Sequence, residues 1–149
     1  MSLIIKSKPI ELYWAKEPIV TFHPEKEDDR LELMEDWHFE VITKKGVHRF
    51  TILAGFTFEG SVPRMFWRVI TPTDPGAIAG YLIHDWSYQL CKMKFMKRED
   101  ADECLFLAIK GRFPWLTVRG VYYAVRLGGG DRMKKPLSAG EKYEIRNML

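Results

Sequence analysis

Residues 74–106, DPGAIAGYLIHDWSYQLCKMKFMKREDADECLF, read as two helices joined by a short basic turn, and the rest of the chain is organised around them. Asp74-Pro75-Gly76 is a start signal: an aspartate suited to cap free amides, then a proline whose fixed φ fits the first helical position. The first helix is expected to run to about Cys91. At about 100° per residue, Tyr81, His84, Asp85 and Tyr88 share one arc, with Ile78, Leu82 and Trp86 on an adjacent apolar arc. The second helix, near Arg98 to Lys110, sets Asp100, Glu103, Leu107 and Lys110 on one side and Arg98, Asp102, Leu105, Phe106 and Ile109 on the other. Asp102 thus falls on an apolar face, where an ionised carboxylate needs a partner. His84 is the economical one, because helices joined by a few residues pack side by side and an imidazole N–H can serve a buried carboxylate. The pattern predicts a His84–Asp102 pair between the two helices.

Upstream, Pro9, Pro18 and Pro24 divide the chain into short extended pieces, 10–14 and 19–22, that suit edge strands or irregular arms. Leu33 to Thr43 and Val47 to Ala54 are rich in β-branched and aromatic residues, and Lys44-Lys45-Gly46 between them reads as a hairpin turn. His38 and His48 lie on these strands and read as surface or rim residues rather than ligands. The loop Gly55 to Arg64 follows. Its glycines could bring amides close to an anion or a reacting carbonyl, and Ser61 and Arg64 are candidate walls of a site. Pro63 stands where a nucleophile elbow has its last glycine, so Ser61 is not read as the nucleophile. A short helix is expected through Met65-Phe66-Trp67. Downstream, Trp115 to Leu127 reads as a helix with Val118, Val121 and Val125 inward and Arg119, Tyr123 and Arg126 along another face. Gly128-Gly129-Gly130-Asp131 is expected to end it, and Ser138-Ala139-Gly140-Glu141 has capping-box spacing for a last helix through Arg146.

The chain has 149 residues, 46% of them hydrophobic, enough for one sizeable core. A single domain over 1–149 is expected, with 1–56 mainly β and extended, 57–131 a helical core and 132–149 a helical tail. The fold class read from this order is α+β, an N-terminal antiparallel hairpin or small sheet on a bundle of four to five helices. Net charge is only +3, but it is unevenly placed. Residues 25–36 carry seven acids against Lys26 and Arg30, and residues 110–149 carry nine Lys or Arg against three acids. Cys91 and Cys104 lack zinc-type spacing and read as free buried thiols. No stretch approaches the roughly 20 apolar residues that span a bilayer, and an intracellular soluble product is expected.

Four motifs in order carry a resemblance: Ser61-Val62-Pro63-Arg64, then Ile83-His84-Asp85-Trp86-Ser87-Tyr88, then Arg98-Glu99-Asp100-Ala101-Asp102 with Phe106, then Tyr122 to Arg126 before a glycine. Over roughly residues 50–130 the chain resembles a phage- and prophage-encoded family, domain of unknown function 1353. That family's pattern is a T-[DN]-x-[AG]-S-[VI]-P-R loop, an H-D-x-x-Y helix and an A-D-x-x-F helix. Phe58 stands here where the loop has Asp or Asn. The resemblance implies phage origin and shared architecture, without a reaction. The H-D-x-x-Y helix facing an aspartate is also similar to the core of secreted phospholipase A2. That likeness implies His84 as base, Asp85 as calcium ligand, Asp102 as orienter and Tyr88 as a supporting hydroxyl, although no Y-G-x-C-G-type calcium loop is present.

Three functions follow. The first is a phage or prophage accessory protein, in the host cytoplasm or carried in the virion with other phage proteins as partners, whose His–Asp network locks two helices. The second is a small hydrolase of lipase, esterase or cell-wall type, with His84 as general base, Asp102 and Tyr88 supporting it, and Asp85 binding calcium or zinc. Such an enzyme needs water to reach His84, whereas a purely locking imidazole does not. The third is nucleic-acid binding through Arg112, Arg119, Arg126, Arg132, Lys134 and Lys135, which ranks last because no reading motif accompanies these residues.

Overall fold

A computed structural model describes residues 3–23, 31–58 and 75–134. Within them lie six strands, β1 (Pro9–Tyr13), β2 (Val20–Phe22), β3 (Leu31–Leu33), β4 (Trp37–Thr43), β5 (Gly46–Ile52) and β6 (Thr57–Phe58). Three helices follow, α1 (Pro75–Lys92), α2 (Arg98–Ile109) and α3 (Trp115–Lys134). The strands form two antiparallel three-stranded sheets, ordered β1-β4-β5 and β2-β3-β6.

The expected hairpin is β4–β5, with Trp37 opposite Ile52 and Thr43 opposite Gly46. Gly46 takes φ +138°, a value that favours glycine, and the Thr43 hydroxyl donates to its carbonyl across the turn. Alternation decides which face is buried: Trp37, Phe39 and Val41 point inward from β4, and Phe50 and Ile52 from β5. This aromatic face meets α1 at Trp86, whose ring lies edge-on to Phe39 at 5.7 Å and to Phe50 at 4.9 Å. The sheet therefore fixes the rotation of α1 about its axis. His38 is exposed and bonds Thr51, and His48 rests against Phe50, so both are rim residues.

Helix α1 is buried almost all round from Ala77 to Leu90, the signature of a central rather than a surface helix. Its partner α2 comes close because of Gly80. A Cβ there would meet Ile109 Cγ2 at 3.0 Å and Leu105 Cδ1 at 3.3 Å. One helical turn beyond that contact, α1 presents His84.

Several expectations need correction. The bundle of four to five helices is replaced, among the described residues, by three helices and two small sheets. The overall class remains α+β, but strands of two or three residues such as β2, β3 and β6 are too short for alternation to reveal them. They exist through pairing between distant segments, Leu31 with both Phe22 and Phe58, and β6 places strand in the first two residues of the expected helical core. Leu33, assigned to the hairpin by its sequence, belongs instead to this second sheet. The triple glycine does not end α3, which continues through it to Lys134. Each glycine in a helix costs about 1 kcal/mol relative to alanine, a cost and not a prohibition. The Arg98 guanidinium, bound to the carbonyls of Val125 and Arg126, anchors the turn just before that run. The short helix near 65–67, the capping-box helix from Ser138, and the Asp74 cap lie outside the described residues.

Candidate functional site

The anticipated pair forms. Nε2 of His84 donates to Oδ1 of Asp102 at 2.8 Å, with the imidazole 1% and the carboxylate 0% exposed. The Tyr88 hydroxyl, one turn further along α1, donates to the same Oδ1 at 2.5 Å. The other oxygen, Oδ2, accepts from Nη1 of Arg126 on α3 at 2.8 Å, and Arg98 Nε lies 3.8 Å away on α2 itself. One carboxylate therefore ties all three helices together. Arg98 closes the ring by binding α3 carbonyls with its other nitrogen.

The electrostatics follow from this geometry. Burial pushes Asp102 toward protonation, but the hydrogen bonds from His84, Tyr88 and Arg126 outweigh it and hold the carboxyl below the usual aspartate range. Tyr88 moves the other way: burial first, then its bond to the anion, raise its hydroxyl well above the ordinary tyrosine value. An ionised carboxylate offers only acceptors, so the proton on the bonded imidazole nitrogen must sit on Nε2. In the neutral ring the lone pair is then on Nδ1. That atom is buried and has no hydrogen-bond partner among the described residues.

Asp85, the candidate metal ligand, is also buried. No group of three or more His, Cys, Asp or Glu side chains able to hold a metal converges among the described residues. Ser61 and Arg64, the candidate walls, lie outside them. Phe58 is fully buried in the core beside Phe56. Cys91 and Cys104 are free thiols, and burial pushes Cys91 up to about 12.

Arg126 and Arg98 were not read as site residues from sequence. Arg98 could have been, since it lies four residues before Asp102 on the same helical face. Arg126 carries no such local signal, and its sequence neighbourhood fits the basic surface equally well. Of the other cations in that group, Arg112 pairs with Glu17 at 2.9 Å and Arg119 stacks on Trp115. Two clefts open nearby. One of about 410 Å³ is lined by Lys6, Lys8, Asp100, Glu103, Tyr122 and Arg126 among others, and one of about 340 Å³ by Tyr13, Trp14, Lys110 and Arg112 among others. Neither is lined by His84.

No helix among the described residues is long and apolar enough to cross a membrane. No curated protein and no solved structure matches the chain. A family described as protein of unknown function (DUF1353) matches residues 31–125, from β3 into α3, which takes in His84, Tyr88, Arg98 and Asp102 and stops one residue short of Arg126. With well over half of its length matched, the chain belongs to that family of proteins of unknown function, DUF1353.

Proposed function

We propose that the protein is a phage or prophage accessory protein in which the buried His84–Asp102 network locks α1 to α2 and α3, because His84 is 1% exposed and a general base needs water to reach it. The phage setting is supported by the motif resemblance, and the locking role by one observation, the single carboxylate of Asp102 that accepts from His84, Tyr88 and Arg126. A second reading, a hydrolase of the acyl-ester type with His84 as general base, is favoured by the unpartnered Nδ1 of His84, although Ser87 Oγ and Gln89 Oε1 on the same helix are buried and unpaired among the described residues too. Here every other contact of the ring is committed: Nε2 is bound to Asp102, and Asp102 is fixed by Tyr88 and Arg126. The result is an oriented imidazole with one basic nitrogen buried and unpaired.

In the reaction, Nδ1 takes a proton from water as the water oxygen bonds to the carbonyl carbon of the ester. Asp102 stabilises the imidazolium that forms. The imidazolium then returns its proton to the leaving alkoxide as the carbon–oxygen bond breaks, giving a carboxylic acid and an alcohol. Tyr88 and Arg126 hold the carboxylate and keep it ionised, so it orients the base without competing for the proton.

Turnover of nitrophenyl esters and phospholipid vesicles by wild type and by His84→Gln separates the two readings. The hydrolase reading expects a loss of about 100-fold or more in kcat for the variant, with modification of His84 by diethyl pyrocarbonate blocking activity in step. Absence of turnover in the wild type, or turnover indifferent to His84, leaves the locking role, which is then read as a large fall in melting temperature of the variant.

A further inference from the structure

We propose that the outward face of α3 is a docking surface for an anionic lipid bilayer, an inference independent of the catalytic reading. The inward face of α3 is the expected valine stripe, Val118, Val121 and Val125. The opposite face should be polar in a helix that only meets water. Instead it carries Trp115, Leu116, Tyr123 and Leu127 at 61%, 79%, 56% and 89% exposure. At helical spacing Trp115, Arg119, Tyr123 and Leu127 follow one another every four residues, with Leu116 between the rows, so the exposed side chains form one stripe. The stripe is about 18 Å long. An exposed patch of large apolar side chains interrupted by one arginine marks an interaction site.

The chemistry of the stripe selects the occupant. Arg119 is its only charged group, its guanidinium 4.5 Å above the Trp115 ring and 5.9 Å from that of Tyr123. Held between two rings, the cation sits level with the aromatics rather than apart from them. From Lys110 to Gly130 the chain has no Asp or Glu, and of its four cations Arg112 is paired with Glu17 and Arg126 with Asp102, so the positive charge of the stripe itself is Arg119. The stripe also lacks any Asn, Gln, Ser or Thr through which a protein partner's polar rim would be addressed. A surface that is apolar within and uniformly negative at its boundary meets all these features together. Leucines enter the acyl layer, tryptophan and tyrosine sit at the headgroups, and Arg119 faces lipid phosphates.

The test uses the full chain in flotation against vesicles of phosphatidylcholine alone and vesicles enriched in phosphatidylglycerol. Binding is expected to the second and not the first, weakening as salt rises. Leu116→Ser and Leu127→Ser are each expected to lower the affinity about tenfold, and Arg119→Glu to weaken it and flatten its salt dependence. These positions are exposed, so the variants should melt like the wild type; if one does not fold, the others carry the same comparison. Failure to float with anionic vesicles overturns the proposal, as does flotation indifferent to all three variants. Two further outcomes also overturn it: self-association in sedimentation that the variants abolish, which makes the stripe a contact between copies, and loss of single-stranded DNA binding without flotation.

Discussion

Glu40 and Asp102 each accept a hydrogen bond from an arginine at nearly the same distance, 2.7 Å from Arg49 and 2.8 Å from Arg126, yet the two pairs do different work. Glu40–Arg49 lies across the β4–β5 hairpin with the arginine 73% exposed, so water competes for both partners and salt screens what remains. Asp102 is wholly buried. Its ionised form exists only because His84, Tyr88, Arg126 and Arg98 surround it, and removing it strands a buried guanidinium edge, a hydroxyl and an imidazole together. Nearly equal distances in two dielectric settings therefore make a decoration in one place and the junction of three helices in the other.

The comparison breaks most visibly at Asp102 itself. Asp102→Ala should cost about 3–5 kcal/mol, the usual penalty for removing one partner of a buried ionic cluster, measured by urea unfolding. A loss no larger than that of a surface pair would mean that the three helices hold without their shared carboxylate.

Acid titration gives the next effect. Because the folded pKa of Asp102 is depressed, its contribution is fully present above the unfolded value of about 3.9 and is lost as pH falls through the lower folded value. Melting temperature should therefore fall below about pH 4 in the wild type, and that acid-dependent component should be absent in Asp102→Asn. Parallel pH curves for the two proteins would show that other carboxylates govern acid unfolding.

Arg49→Ala should have the smallest effect, under about 1 kcal/mol, vanishing in high salt. A larger, salt-resistant loss would show that the hairpin depends on its charge pair rather than on the aromatic face that meets Trp86.

The centre of the site was legible because its signals are local. His84 and Tyr88 lie one turn apart on one helix, Asp102 stands on the apolar side of the next, and the connection is too short to let the helices separate. Helical periodicity and a short turn suffice to bring such residues together. The second sheet was not legible, because β2, β3 and β6 are two or three residues each and gain their structure from partners far along the chain. Nor was the continuation of α3 through three glycines, where the local stop signal lost to tertiary anchoring by Arg98.

Arg126 shows the boundary most clearly. Its sequence neighbourhood places it on a basic helix, which fits a solvated face as well as a buried contact. Only the packing of α3 against α2 swings it onto Oδ2 of Asp102. The sequence by itself determined which carboxylate would be buried and which imidazole could answer it, since both follow from the repeat of a single helix. The tertiary structure decided which cations neutralise that carboxylate and which imidazole nitrogen is left unpaired, because these depend on the angle at which a third helix arrives, a quantity no local pattern encodes.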